Sequence, residues 1–245
     1  MTRTVCWFSA GAASAVATKL VLADPPTDDI VVAYTDPGSE HPDNKRFLTE
    51  CEHWLETPIV RLRSAKYADT WQVFTEGRFL VSPYGALCTA ELKKKVRYAF
   101  ERPDDLQVFG YTAEEQHRAD RFRQQNPGVN LLTPLIDRGL TKDDCLAIIQ
   151  RAGIELPAMY RLGYRNNNCI GCVKGGMGYW NKIRRDFPDV FDRMAGIERD
   201  LNATILRDNG QPLFLDELDP ARGSHSDEPS FECSLLCTLA EQELQ

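Results

Sequence analysis

The sequence predicts an α/β protein in which a five-stranded parallel sheet carries helices on both faces. Short runs of β-branched and aromatic residues recur along the chain, and segments with apolar residues at helical spacing separate them. The connections between these runs are long enough for crossovers, which parallel strands require. With 245 residues, the chain can form one large α/β domain or a domain with an appendage.

The first three strands and two helices alternate in the way that builds such a sheet. Residues 4–8, 29–34 and 58–62 are predicted as strands, residues 15–22 and 44–55 as helices. Ligands of parallel sheets bind beyond the carboxyl ends of the strands. The loops that follow the first two strands are therefore expected on one edge of the sheet.

The remaining chain is less regular, and residues 65–86 give no clear secondary-structure prediction because Gly77 and Gly85 interrupt them. Thr141 is predicted to cap a helix that follows it. Further strands are predicted at 106–110 and 130–135, helices at 90–101, 145–152, 179–186 and 188–201, and a hairpin at 203–215 that turns at Asp208-Asn209-Gly210.

A change in composition near Pro157 suggests two parts of the chain. Residues 1–155 are predicted as the core that carries the sheet. Residues 156–245 are predicted as a helical and hairpin extension that carries cysteines, the two parts forming one integrated domain.

Composition limits the partners and the compartment. The net charge of −7 argues against nucleic-acid binding by the surface as a whole, although a local basic patch is compatible with it. No apolar run near 20 residues occurs, so no membrane segment is expected. Thr2-Arg3-Thr4 leads straight into a strand, which predicts no signal peptide. We expect a cytoplasmic protein.

The stretch between the first strand and the first helix consists of six small residues, Ser9-Ala10-Gly11-Ala12-Ala13-Ser14. Small side chains let a ligand approach the backbone, and the N–H groups at a helix start favour an anion. These features indicate a phosphate site. A tight strand-to-helix turn with nothing bound explains this segment equally well.

Ionisable residues follow two of the predicted strands. Asp36, Glu40 and Asp43 follow the second strand, and Glu114 and Glu115 follow the fourth. Mg²⁺-bound phosphates need carboxylate partners, although surface loops commonly carry carboxylates.

The eight cysteines fall into two groups. Cys6, Cys51 and Cys145 lie in apolar patterns and are predicted as core residues. The others lie in loops or at helix starts: Cys88, Cys169, Cys172, Cys233 and Cys237. A Cys-x-x-Cys pair together with cysteines from other segments indicates a shared zinc or iron–sulfur site, and a redox disulfide pair is the alternative.

Five motifs occur in a fixed order and together resemble one family. They are residues 9–14, the segment Tyr34-Thr35-Asp36-Pro37-Gly38-Ser39-Glu40-His41-Pro42, Cys88-Thr89 followed by Leu92-Lys93, Gly110-Tyr111-Thr112-Ala113-Glu114-Glu115 with Arg118, and Glu232-Cys233. They are similar to the pyrophosphate loop, the Asp-Thr-Gly loop, the Cys-Thr-x-x-Leu-Lys element, the Gly-x-Arg-x-x-Glu segment and the Glu-Cys-Gly tail of the phosphoadenylyl-sulfate (PAPS) reductase-like proteins. That family belongs to the adenine nucleotide α-hydrolase (PP-loop) superfamily.

The resemblance implies an enzyme of sulfur chemistry that binds an adenine nucleotide, either ATP with Mg²⁺ or PAPS. It also implies a [4Fe-4S] cluster, for which the fourth ligand is Cys233 or Cys237. The implied cluster ligands are Cys88, Cys169, Cys172 and Cys233. The implied nucleotide contacts are Ser9, Ala10, Gly11, Ala12, Ala13, Ser14, Thr35, Asp36, Gly110, Glu115 and Arg118. The implied substrate contacts are Lys93, Arg165 and Lys174, and the implied catalytic residues are Cys237 and Asp36.

Two mechanisms are compatible with this resemblance. ATP adenylates a carbonyl oxygen of a substrate before sulfur attacks, or a thiolate attacks the sulfonyl sulfur of PAPS. The chain departs from the family at Ala10 and Ala13, where the loop's second residue and its acidic residue are replaced, and this argues against efficient pyrophosphate chemistry. The chain also lacks the Cys-Cys pair of cluster-bearing sulfonucleotide reductases.

The alternative function is a non-catalytic nucleotide-binding or sensor protein with a structural zinc site made of four cysteines. For the enzyme, the expected partners are a sulfur acceptor, which is a nucleic acid or a small molecule, and an electron donor or sulfur donor protein. The oligomeric state, including a homodimer, stays open.

Overall fold

The computed structural model describes residues 2–82 and 85–226, which group into two compact units. This grouping differs from the sequence-based division near residue 155, because early segments of the chain join the later ones. Unit 1 contains residues 2–36, 41–63 and 96–167, and unit 2 contains residues 37–40, 64–82, 85–95 and 168–226.

The strands are β1 Arg3–Phe8, β2 Asp29–Thr35, β3 Ile59–Leu62, β4 Val81–Ser82, β5 Gly85–Ala86, β6 Leu106–Val108, β7 Asn130–Leu132, β8 Leu206–Asp208 and β9 Gln211–Leu213. The α-helices are α1 Ala12–Ala23, α2 Asn44–Leu55, α3 Thr70–Gly77, α4 Leu87–Thr89, α5 Lys95–Phe100, α6 Gln116–Gln125, α7 Pro134–Asp137, α8 Lys142–Arg151, α9 Ala158–Arg161, α10 Met177–Asp186 and α11 Pro188–Leu201. A π-helical segment, Ala90–Lys94, joins α4 to α5, and short 3₁₀ helices cover Ala113–Glu115 and Leu215–Glu217.

Unit 1 contains the predicted five-stranded parallel sheet. Its order is β3-β2-β1-β6-β7, and every neighbouring pair is parallel. The α/β class and the parallel sheet are therefore confirmed. Because the order runs outward in both directions from β1, the connections reverse direction between β1 and β6. Such a switch point is where open α/β sheets bind ligands.

Helices pack against both faces of this sheet. Successive strand residues point to opposite faces of a sheet, so the side chains of Trp7 and Phe8 in β1 lie on opposite faces. The Phe8 ring lies 6.3 Å from Phe47 of α2, and the Trp7 ring lies 6.0 Å from Phe100 of α5. On the Phe8 face, α1, α2, α7 and α8 contribute to one hydrophobic core.

The three cysteines predicted as core residues lie in that core. Cys6, Cys51 and Cys145 are fully buried. Loss of hydration disfavours the thiolate, and burial raises the pKa of each of these thiols to about 12. They are unreactive packing residues.

Most helix predictions hold, and the departures have local causes. Strand β7 ends before Pro134, which starts the short helix α7 at its first turn. Residues 65–86, which carry no clear sequence-based prediction, contain α3. Asp69 caps the start of this helix by accepting a hydrogen bond from Gln72 N at 2.8 Å. Thr141 caps α8 as predicted, with Asp144 completing a capping box.

Unit 2 is built on the antiparallel hairpin β8–β9 and on α10 and α11. The predicted turn is confirmed: Asn209 and Gly210 both have positive φ, as a tight hairpin turn requires. Glu198 of α11 is fully buried and accepts hydrogen bonds from Ile205 N and Leu215 N, each at 2.7 Å. This carboxyl group thereby joins α11 to both sides of the hairpin.

Within residues 2–82 and 85–226, no helix is long and apolar enough to cross a membrane.

Candidate functional site

The loop after β1 and the end of β6 meet at the switch point of the sheet in unit 1. Gly110, two residues beyond β6, lies against the first turn of α1. A Cβ atom on Gly110 would stand 2.8 Å from both N and Cα of Ser14 and 2.9 Å from the carbonyl carbon of Ala13. Real Cβ contacts are longer than this, so only glycine allows the two segments to approach so closely. Gly110 thus positions the start of the helix.

Ser14 closes the loop between β1 and α1. Its Oγ accepts hydrogen bonds from Ser9 N at 3.0 Å and Ser9 Oγ at 3.1 Å, and it donates to Gly11 O at 2.9 Å. Gly11 is the residue immediately before α1, and among the described residues no side-chain hydrogen bond caps the start of this helix. The first turn of α1 contains no acidic residue. An anion would therefore meet backbone N–H groups and no carboxylate from that turn.

Ala10 sits in the left-handed backbone region, with φ of 55°, although it is not glycine. Such a conformation costs a non-glycine residue about 1 kcal/mol. The Ala10 carbonyl oxygen accepts a hydrogen bond from Asn167 Nδ2 at 2.7 Å, and the same Nδ2 donates to Asn44 Oδ1 at 2.8 Å. Asn167 thus ties the loop after β1 to the first residue of α2.

Sequence reasoning did not assign a role to Asn167 or to Tyr160. The Tyr160 hydroxyl lies 3.2 Å from the position of a Cβ on Gly11, so it borders the loop directly. Lys142 Nζ lies 5.9 Å from the centre of the Tyr160 ring and donates a hydrogen bond to Asn166. The Arg- and Asn-rich composition of residues 160–168 was the signal available in the sequence.

Asp36 and Thr35 lie where the second predicted loop begins. Thr35, the last residue of β2, is buried, and its strand neighbour β1 ends beside it. The Asp36 carboxylate accepts hydrogen bonds from Arg63, with Nε at 2.9 Å, and this contact raises the pKa of the Arg63 guanidinium. The predicted catalytic carboxylate is therefore engaged in an ion pair at the sheet edge.

Glu115 and Arg118 form an ion pair after β6. Glu115 also accepts hydrogen bonds from Thr112 N at 3.2 Å and Thr112 Oγ1 at 3.4 Å, which makes it part of a capping box. The Arg118 guanidinium lies 5.4 Å from the centre of the Tyr111 ring. The other predicted basic residue of unit 1, Arg165, is exposed.

Asp43 anchors α9 to the start of α2. It accepts hydrogen bonds from Arg46 through both carboxylate oxygens, at 2.7 and 2.9 Å, and from Ala158 N at 2.8 Å. The Arg46 hydrogen bond is the largest influence and, against the opposing effect of burial, lowers the pKa of Asp43 to about 2. Asp43 therefore holds the segment that leads to Tyr160 and Asn167.

Unit 2 contains the Cys-x-x-Cys turn. Cys172 N donates a hydrogen bond to the Tyr179 hydroxyl at 2.9 Å, and that hydroxyl donates to Cys169 O at 3.4 Å. Gly171, with φ of +75°, lies between the two cysteines, and a Cβ there would stand 2.7 Å from a methyl group of Val190. One tyrosine thus fixes the turn, and both cysteines are buried.

Two of the other predicted residues of unit 2, Cys88 and Lys93, lie at or beside the π-helical segment. Cys88 lies in α4, just before it, and is nearly buried. Lys93 and Lys94 are both buried, and Lys93 Nζ lies 3.9 Å from a carboxylate oxygen of Glu40. π-Helical segments occur frequently at functional sites. Lys174 is half-buried.

A metal site needs several ligand side chains close together. In the described part of the chain, no group of three or more His, Cys, Asp or Glu side chains stands in position to hold a metal ion. Cys233 and Cys237 lie outside the described residues. The four-cysteine ligand set therefore stays a prediction from the sequence.

Neither a scan against protein-family models nor a search of curated proteins finds a match to this chain.

Proposed function

We propose that this chain binds the phosphates of an adenine nucleotide at the loop after β1, and that it is an enzyme of sulfur chemistry of the PAPS reductase-like type. The observation that carries the nucleotide proposal is the packing of Gly110 on the backbone of Ser14 at the switch point. This contact requires glycine at position 110, after β6, and it fixes the position of the first turn of α1.

The local electrostatics support an anionic ligand. The helix start combines the positive end of the α1 dipole with a first turn free of carboxylates. Ser9 is exposed and Ala13 is partly exposed, so the loop can be reached from solvent. The replacement of the family's acidic loop residue by Ala13 favours binding of the phosphates over their hydrolysis.

Ligand binding is tested by calorimetry with ATP, PAPS and inorganic pyrophosphate, with and without Mg²⁺. Binding of pyrophosphate together with ATP supports the phosphate loop. Tighter binding of PAPS than of ATP favours reduction of a sulfonucleotide, and the reverse order favours sulfur transfer through an adenylated substrate. If the wild-type protein binds none of the three, the nucleotide proposal is wrong.

A matched pair of variants examines the loop itself. Ser14→Ala removes the hydroxyl that closes the loop, whereas Thr18→Ala removes a buried hydroxyl one turn further along α1, which donates to Ser14 O at 2.8 Å. We expect ATP affinity to fall about tenfold in Ser14→Ala and to change less than about twofold in Thr18→Ala. Equal effects of both changes would contradict the assignment of the loop.

The [4Fe-4S] cluster is proposed on the cysteine pattern and the resemblance, with Cys88, Cys169, Cys172 and Cys233 as ligands. When bound, such a cluster would transfer electrons to the substrate or bind the sulfur atom that is transferred. Anaerobic purification with an absorption spectrum and assays of iron and sulfide tests it. A colourless protein that contains zinc supports the alternative of a structural zinc site instead.

The Cys-x-x-Cys turn is tested with a pair of cysteine variants. Cys172→Ser should abolish the cluster absorption, whereas Cys145→Ser should leave it unchanged because Cys145 lies in the core of unit 1. If the two variants retain the same iron content, the ligand assignment fails.

A further inference from the structure

Asn167 has a buried acceptor without a donor. Its Nδ2 group is satisfied by Ala10 O and Asn44 Oδ1. Its Oδ1 atom has no hydrogen-bond partner among residues 2–82 and 85–226. Only 7% of the Asn167 surface is exposed. A buried carboxamide oxygen left without a donor costs about 1–3 kcal/mol, so such a group is rarely kept unless something fills the position.

Reversal of the amide would not remove this cost. The Ala10 carbonyl can only accept a hydrogen bond, so the side of the carboxamide that faces it must be the NH₂ group. Because both atoms belong to one planar amide, the contacts of Nδ2 also fix the position of Oδ1. The missing partner of Asn167 is therefore a donor from outside the described chain.

The position of Asn167 narrows the chemical identity of that donor. Ala10 follows β1, and Asn44 begins the helix after β2, so the carboxamide joins the loop after the first strand to the start of the helix after its neighbour, beyond the carboxyl ends of both strands. In open α/β sheets that bind nucleotides, the phosphates lie at the first loop and the ribose lies toward the end of the second strand. Phosphate oxygens accept hydrogen bonds at neutral pH and cannot satisfy Oδ1. Ribose hydroxyl groups can donate.

We propose that Asn167 Oδ1 accepts a hydrogen bond from a ribose hydroxyl of the bound nucleotide, while Nδ2 holds the Ala10 carbonyl in place. This inference rests on the proposed nucleotide site. It adds a sugar contact from residue 167, which lies well beyond the segment predicted as the nucleotide core.

A thermodynamic cycle tests the contact. Calorimetry compares ATP, 2′-deoxyATP, 3′-deoxyATP and pyrophosphate in wild type and in Asn167→Ala. In wild type, loss of the contacted hydroxyl should weaken binding by about 2- to 10-fold. In Asn167→Ala, the same deletion should change the affinity less than about twofold, because the partner is gone. The cycle cancels any general effect of the variant on the loop.

Asn181→Ala is the control, since Asn181 is also a buried asparagine that donates to two carbonyl groups, Asp219 O and Arg222 O, but it lies in unit 2. It should show the wild-type response to each analogue. If the deoxy analogues lose the same affinity in wild type and in Asn167→Ala, the donor is not the ribose and Asn167 only supports the loop.

The result is informative even if Asn167→Ala does not fold. Wild-type protein that binds ATP and both deoxy analogues equally would by itself overturn the ribose contact while leaving the nucleotide site intact. Wild-type protein that binds none of ATP, PAPS and pyrophosphate would overturn the proposed function and this inference together.

Discussion

Gly110→Ala is the most direct perturbation of the switch point. The new Cβ would stand 2.8 Å from N and Cα of Ser14, whereas ordinary contacts begin at 3.4 Å, so the helix start and the end of β6 must separate by about 0.6 Å. The obstructing atoms are backbone, which cannot rotate away. We expect the free energy of unfolding to fall by about 1–3 kcal/mol, as for other overpacked sites.

The same shift moves the N–H groups of the first turn away from the proposed phosphate position. We expect the affinity for ATP to fall at least about tenfold, which corresponds to about 1.4 kcal/mol. Urea denaturation measures the stability and calorimetry measures the affinity. Gly128→Ala is the matched control in unit 1, because a Cβ there meets nothing within 4 Å. If Gly110→Ala behaves like Gly128→Ala in both assays, the close approach at the switch point is not required and the reasoning is refuted.

Three further predictions concern stability. The pKa of Asp43, about 2, lies below its ordinary value of 3.8, so its contribution is complete above about pH 4 and is lost as the pH falls toward 2. We expect Asp43→Asn to lower the free energy of unfolding by about 2 kcal/mol at pH 6 and by only about 1 kcal/mol at pH 3, measured by urea unfolding. An equal difference between wild type and variant at both pH values would contradict this. The pKa of Glu198, about 7, lies above its ordinary value of 4.5, mainly because of burial, so its contribution is complete below pH 4.5 and is lost as the pH rises through 7. Wild-type stability should therefore drop by up to about 3 kcal/mol between about pH 4.5 and 8 relative to Glu198→Gln, and an unchanged difference between the two proteins over that range would refute the assignment. Tyr179→Phe removes the hydroxyl that accepts a hydrogen bond from Cys172 N, so we expect the free energy of unfolding to fall by about 1–2 kcal/mol in the same assay. An unchanged urea midpoint would contradict this.

The sheet was predictable from the sequence because each of its strands is a short apolar run bounded by loops. Residues 29–34, for example, contain almost the whole of β2. Residues 65–86 were not predictable, since β4 and β5 each contain two residues, too few to leave a periodic pattern. The helix α3, which precedes them, begins after Asp69, a capping signal that the glycines of this stretch obscured.

The candidate site was predictable where it follows the chain locally and not where it depends on distant contacts. The loop of small residues and Gly110 were predicted as nucleotide contacts through their motifs, and those contacts remain a prediction. The role of Asn167 depends on atoms of Ala10 and Asn44, and a single sequence gives no indication of which asparagine reaches them. The two compact units likewise combine segments that are far apart in the chain.

The bond between Asn167 and Ala10 also has a consequence for the order in which the protein matures on the ribosome. The two residues are separated by 157 positions, so the loop is among the first segments to be translated and its last support is made much later. At roughly 5–20 residues per second, that delay is on the order of 10 s. Throughout this interval a nascent chain carries β1 and α1 but lacks the amide that holds Ala10 in its left-handed conformation. The proposed binding of nucleotide is therefore expected to begin late in synthesis, after residue 167 has joined unit 1.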